Sequence, residues 1–318
     1  MTAGRSALTP SIIACLVIPP FLWAGNAMVG RLLNGRLPPF EFNALRWLLA
    51  LALLLPFGWR VFATRPARAL IAERWKWIAA LSFCGVGAYN SLQYLALTTS
   101  TPINITLIAA SLPVWMLAIG AVAFGQRPAR AGALGAVLSL LGVVVVLTQG
   151  EVRRISQFEF VRGDLYMLAA VAIWAVYSWL LSDPRGRWRG AAWPVWSPVQ
   201  FLFIQAVFGI VWCLLATGLE AMVVAPPPVD WSDRAILAGI AYTAIGPAIV
   251  AYLCWGRGVA LAGPAAAGFF FNLTPAFVAV MSTLVTGEHA QPYHGVAFML
   301  IVAGIVVSSW RRASPVSA

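Results

Sequence analysis

The chain has 318 residues, 61% of them hydrophobic and 10% charged, with mean hydropathy +0.84. A soluble domain is roughly a quarter charged, so this composition excludes one and describes a protein that crosses a bilayer many times. The formal charge of +11 would point to nucleic acid in a soluble chain, but here the arginines fall between apolar runs, and no nucleic-acid partner is expected.

A crossing takes about 20 mostly apolar residues, because a helix rises about 1.5 Å per residue through about 30 Å of hydrocarbon. That rule predicts roughly ten helical spans; a membrane β-barrel would show short alternating segments instead. The first, Ile12–Asn34, sets Trp23 and Asn26 on one face, and its length favours an uncleaved span although Ala24-Gly25-Asn26-Ala27 imitates a cleavage site. The second, Phe40–Arg60, carries Arg46 about one and a half turns in, a charge that could anchor a substrate carboxylate, pair with Glu41 or snorkel outward; a structural role is the expectation adopted. The third, Trp75–Leu97, carries Tyr89, Asn90, Gln93 and Tyr94 as one polar-aromatic arc that must face protein or a wet cavity.

Pro102–Phe124 follows, centred on Pro113, and then Ala131–Gln149. In the sixth span, Leu165–Ser182, Trp174 and Tyr177 share a face; in the seventh, Trp196–Leu219, Gln205 roughly aligns with Arg46. The eighth, Ala235–Gly256, contains Tyr252, and the ninth, Pro264–Thr286, contains Asn272, Thr274 and Pro275. Glu288 stands between Gly287 and Pro292, suited to complement the N-terminal dipole of the last span, Tyr293–Trp310.

Arg60, Arg65, Arg68, Arg74, Lys76, Arg185, Arg187, Arg189 and Arg257 fall on the side of the N-terminus, and fewer basic residues face the other side. Basic loops stay in the cytoplasm, so both termini are expected there. Trp59, Trp75, Trp77, Trp188, Trp193, Trp196 and Trp310 near span ends read as interface anchors. The four cysteines are scattered without a CxxC pair, and no ATP or dinucleotide fingerprint occurs, so neither metal nor cofactor is expected. A membrane enzyme would need clustered acids and bases, which this chain lacks.

The chain also repeats itself. Pro102, Pro113, Gly125 and Gly142 meet Pro264, Pro275, Gly287 and Gly304 at one offset of 162, and Trp23-Ala24 resembles Trp174-Ala175. Residues 1–150 and 151–318 therefore read as two five-span repeats. An odd number of spans makes the second copy enter from the opposite side, the inverted-repeat design of alternating-access transporters. Pro113 and Pro275 sit at matching mid-membrane positions, where each strands a carbonyl, Ala109 or Phe271, and can act as a hinge or remain an ordinary kink satisfied by a hydroxyl.

Trp23-Ala24-Gly25-Asn26, Arg46 followed by Ala50, the paired Pro113 and Pro275, and Gly287-Glu288 resemble the EamA-type transporters of the drug/metabolite transporter superfamily. The resemblance covers about residues 12 to 310. It implies a ten-helix all-α membrane protein in a bacterial inner membrane that exports small metabolites through a cavity between the repeats. One departure is Gly125-Gln126-Arg127, where the family often has glutamate after the glycine. Tyr89-Asn90, Gln93 and Trp174 are similar in placement to the branch that exports aromatic and neutral amino acids, with the departure that Asn90 and Gln93 stand where that branch is more basic and aromatic. The resulting candidate substrate site is Trp23, Asn26, Tyr89, Asn90, Gln93, Trp174, Tyr177, Tyr252 and Asn272, with Pro113 and Pro275 as hinges and Arg46 and Glu288 as structural charges. The expected partners are a small-molecule substrate and the bilayer, a monomer suffices, and efflux of cationic drugs is the alternative activity.

Overall fold

The computed structural model describes residues 9–100, 105, 108–126, 129–148, 150–151, 153, 161–188, 190, 196–223, 228–286 and 292–310. Among these, all regular structure is helical: α1 (Pro10–Leu32), α2 (Pro39–Gly58), α3 (Arg65–Glu73), α4 (Trp75–Ser82), α5 (Tyr89–Thr99), α6 (Leu112–Val122), α7 (Arg130–Leu147) and α8 (Arg162–Ser182) come first. Then follow α9 (Pro198–Val223), α10 (Arg234–Thr243), α11 (Ala251–Ala262), α12 (Pro264–Phe271), α13 (Leu273–Thr286) and α14 (Pro292–Trp310). Two π-helical segments, Phe83–Ala88 and Ala244–Val250, join α4 to α5 and α10 to α11. Among the described residues six helical stretches are long and apolar enough to cross a membrane: Pro10–Leu32, Pro39–Phe62, Arg162–Ser182, Pro198–Val223, Arg234–Ala262 and Pro264–Met281. Shorter apolar helices cover Leu112–Val122, Arg130–Val145 and Gly295–Ser308. Glu288 and both chain ends, on which the expected topology turns, lie outside the described residues.

The internal repeat is visible as geometry. Helices α7 and α14 cross so closely that a Cβ on Gly135 would lie 2.6 Å from the Gly304 carbonyl, and one on Gly142 would lie 2.8 Å from the Ala297 carbonyl. Adding 162 to Gly135 gives Ala297, and to Gly142 gives Gly304, so the offset exchanges one crossing for the other. Contacts that exchange in this way are those of a two-fold axis. The same pairs make the two helices antiparallel, and small residues at the crossing let backbones approach without a hydrophobic drive between helices in lipid.

The expected proline kinks are breaks. The chain turns at Ala110 and Ser111, so Pro113 is the second residue of α6; it turns again at Asn272, so Pro275 falls in the first turn of α13. There a missing N–H is one of the helix's orphan donors in any case. The Phe271 carbonyl accepts from the Thr274 hydroxyl at 2.7 Å, which removes the cost of stranding it.

One expectation is corrected. Trp77 is buried, with its indole N–H donated to the Leu180 carbonyl at 3.0 Å and its ring stacked on Phe201 at 5.5 Å, so it is a packing residue and not an interface anchor. Trp196 is likewise partly buried and stacked on Phe201 at 6.0 Å, whereas Trp59, Trp75 and Trp188 are about half exposed, as an anchor requires; Trp193 lies outside the described residues.

Candidate functional site

The two π-helical segments stand at equivalent places in the two halves. A π-turn spaces its hydrogen bonds more widely and leaves carbonyls available, which is why such turns recur at functional sites. Gly85 in the first segment and Pro247 in the second differ by the repeat offset. The Tyr252 hydroxyl donates to the Gly85 carbonyl, and the Trp23 indole donates to the Pro247 carbonyl at 3.3 Å. Each half's released carbonyl is thus taken by an aromatic side chain of the other half. Gly85 has to be glycine here, because a Cβ would meet the Tyr177 ring at 2.5 Å. Asn43 on α2 secures the first segment further, donating to the Val86 carbonyl and the Ser91 hydroxyl, each at 2.9 Å.

Beside this segment α2 carries Arg46 into the centre of the bundle, where it is fully buried. Its Nη1 donates to Asn26 Oδ1 at 3.1 Å, Asn90 Oδ1 at 2.9 Å and the Tyr94 oxygen at 2.6 Å. The Tyr94 hydroxyl in turn donates to Asn26 Oδ1 at 2.6 Å, and Asn26 Nδ2 donates to Gln93 at 3.4 Å. The guanidinium carbon lies 5.8 Å from the Trp47 ring and 5.9 Å from the Tyr94 ring, within cation–π reach. All of these partners are neutral. Arg46 Nε and Nη2 have no hydrogen-bond partner among the described residues. Arg46 therefore neither pairs with Glu41 nor snorkels outward.

Aromatic rings close over the polar centre. Trp23 and Trp174 meet edge to face at 5.1 Å; Trp174 also meets Tyr89 at 4.8 Å, Tyr177 at 4.7 Å and Tyr252 at 5.4 Å. Trp47 packs on Tyr252 at 5.1 Å. The indole N–H groups of Trp47 and Trp174 lack acceptors among the described residues. Asn90 and Tyr252, equivalent under the offset, touch each other: Asn90 Nδ2 donates to the Tyr252 oxygen at 3.3 Å. Trp23 and Trp174 are likewise partners in the repeat, so equivalent residues meet at the centre, as they must near a two-fold axis.

From the other face Tyr252 looks into a cavity of about 360 Å³. Tyr177, Gln205 and Tyr252 form its deep end, and Trp196, Phe201 and Arg257 line its outer part. The Tyr177 hydroxyl donates to Gln205 Oε1 at 3.1 Å. The cavity reaches the end of the bundle where α8 and α11 finish and α9 begins. At the opposite end the halves are joined by the Arg36–Asp233 ion pair at 3.0 Å and by Glu220, whose carboxylate accepts from the backbone N–H groups of Phe40 and Glu41.

Eight of the nine expected site residues come together in this centre. Only Tyr177 and Tyr252 line the open cavity; Trp23, Asn26, Tyr89, Asn90, Gln93 and Trp174 are packed behind them. Asn272 stands apart at the break before α13, fully buried, with both amide atoms unpartnered among the described residues. Its link to the centre is the neighbouring Phe271, whose ring lies 5.6 Å from Trp23. Pro113 packs close to Gly268 of α12, so the two broken spans touch. Tyr94, Trp47 and Gln205 join this centre beyond the nine expected residues. Tyr94, one turn from Asn90, and Trp47, beside Arg46, carried a signal; the π-segments carried only Gly85-Val86-Gly87. No cluster of His, Cys, Asp or Glu able to hold a metal occurs among the described residues.

A model of the EamA-like transporter family matches residues 10–148 and again residues 161–310. A transporter of Archaeoglobus fulgidus is 23% identical over 93% of this chain and 96% of its own. The aromatic amino acid exporter YddG of Ancylobacter novellus is 26% identical over 87% of this chain and 89% of its own. A probable terminal-alkyne amino-acid exporter of Streptantibioticus cattleyicolor is 24% identical over 73% of each chain. A solved crystal structure shares the fold, with TM-score 0.72 at 21% identity, covering 96% of this chain and 99% of the other.

Proposed function

Because the chain belongs to the EamA-like transporter family, we propose that it is a ten-span secondary transporter that exports aromatic or neutral amino acids by alternating access between two inverted repeats. The observation that carries this reading is the meeting of equivalent residues, Trp23 with Trp174 and Asn90 with Tyr252, at a buried centre. A site on the axis between inverted repeats is presented to either side by rocking one repeat against the other. The aromatic surfaces suit an apolar side chain, and the buried amides suit a polar head group.

The cavity supports a direction. Its end of the bundle carries Arg74, Arg187 and Arg257, the basic end that the positive-inside rule places in the cytoplasm. The described state is then open inward and closed outward, ready to load from the cell. Trp23, Asn26, Tyr89, Asn90, Gln93, Trp174, Tyr177, Tyr252 and Asn272 take the substrate-facing roles, and the breaks at Pro113 and Pro275 allow the rocking. The names of two relatives, an aromatic amino acid exporter and a probable terminal-alkyne amino-acid exporter, support the substrate class. No carboxylate lies beside the site among the described residues, so exchange or facilitated movement is the expected energetics, an intramembrane acid being the usual proton relay.

The test is efflux from proteoliposomes loaded with labelled phenylalanine, tryptophan, leucine, threonine or a cationic dye, with and without a pH gradient. The expected result is saturable efflux of the aromatic amino acids that the gradient leaves unchanged. Efflux of the dye alone would replace amino-acid export with drug efflux.

A further inference from the structure

A guanidinium has five N–H donors in a planar fork. In Arg46 the three neutral oxygens crowd one corner, Nη1, and leave the Nε and Nη2 edge unpaired. That edge is the one that grips a carboxylate with two parallel hydrogen bonds. It is fully buried, and no counter-charge lies within ion-pair distance among the described residues. The indoles of Trp47 and Trp174 add two further unpaired donors around the same centre. A buried centre with a surplus of donors and an uncompensated positive charge is completed by an acceptor-only anion.

We infer that Arg46 holds the carboxylate of the transported molecule through Nε and Nη2, with the ring cage of Trp23, Trp174 and Tyr252 taking its apolar part. This inference rests on the transport reading of the site. It also defines the approach. Tyr252 shows one face to the cavity, while its oxygen accepts from Asn90, itself bound to Arg46. A substrate entering from the cavity displaces the Tyr252 ring before it reaches the guanidinium, so loading breaks the hydrogen bonds that the Tyr252 hydroxyl makes with Asn90 and with the Gly85 carbonyl. The equivalent position in the second half is Gln205, which offers no charge, so the anion has one seat and one orientation. A compound that carries a positive charge and no carboxylate offers the Nε and Nη2 edge nothing to hold and is repelled by the guanidinium, which sets the centre against cationic drugs.

The test compares 3-phenylpropionate, phenylalanine, phenylalaninamide and phenethylamine, read by intrinsic tryptophan fluorescence of the full chain in nanodiscs. The two carboxylates are expected to bind at least about thirty-fold more tightly than the amide and the amine, equivalent to about 2 kcal/mol. Arg46→Gln should erase that preference, and Arg46→Lys, which keeps the charge without the fork, should restore part of it. Equal affinity for acid and amide on the unaltered protein overturns the inference without any variant, as does a preference that survives Arg46→Gln or a panel in which no carboxylate binds. Flux in proteoliposomes separates the two readings: carboxylate binding without flux overturns transport and leaves the Arg46 assignment, whereas equal flux of acid and amide does the reverse.

Discussion

The two halves of the molecule place three equivalent side chains around one axis and fill the positions differently. In the first half they are Asn26, Arg46 and Asn90; in the second, Tyr177, Gln205 and Tyr252. The first set is closed, charged and buried, with short hydrogen bonds converging on Nη1. The second is neutral, mostly aromatic and faces the cavity. Duplication supplied a symmetric frame, and divergence then filled it differently; under the proposed transport reading the first half holds a polar head group and the second forms the door. A symmetric pair of arginines would place two uncompensated charges in one desolvated centre, at a cost of several kcal/mol per unpaired ion.

The strongest way to break this comparison is to invert it. Arg46→Gln combined with Gln205→Arg moves the charge to the half that lacks Asn26 and Asn90 as acceptors. Amino-acid counterflow is expected to fall by about a hundredfold, a loss of about 2.7 kcal/mol, in protein that elutes as the unaltered chain does. Counterflow at the original rate would mean that the two sets are interchangeable.

Single truncations sharpen it. Asn90→Leu removes an acceptor from a buried cation and should lower unfolding stability by about 2 kcal/mol, within the range for hydrogen bonds to charged groups. Gln205→Leu removes a neutral bond beside the cavity, where water can replace it, and should cost about 0.5 kcal/mol. Thermal unfolding in detergent measures both, and equal losses would erase the distinction between a closed and an open set. The smallest expected effect is at the break before α13, the proposed hinge. Pro275→Ala lets α12 run into α13 while leaving the centre's contacts in place, so turnover should slow about threefold with little change in binding. A change in affinity with unchanged turnover would assign Pro275 to the site instead.

Much of the frame was legible along the chain. Apolar runs separated by arginines announced the helices, and the prolines and glycines at one offset announced the repeat, because punctuating residues report backbone geometry directly. The Trp23–Trp174 and Asn90–Tyr252 correspondences became actual contacts, since residues equivalent under a two-fold axis meet wherever they lie on it. For Arg46 the sequence leaves a structural role, favoured, beside a carboxylate anchor, because a lone charge in an apolar run does not reveal its neighbours. Asn26, Asn90 and Tyr94 lie 20, 44 and 48 residues away from it. Trp77 failed as an anchor for a similar reason, its partner carbonyl being 103 residues distant.

The sequence by itself determined that this protein is helical, membrane-spanning, internally duplicated and rich in aromatic side chains at matched positions, all properties of local composition and period. Only the tertiary structure decided which of those side chains share a centre, which edge of Arg46 is left open, and which end of the bundle holds a cavity. Those facts depend on contacts between helices far apart in the chain, and with lipid as apolar as the helices themselves, close packing and cross-helix hydrogen bonds select them.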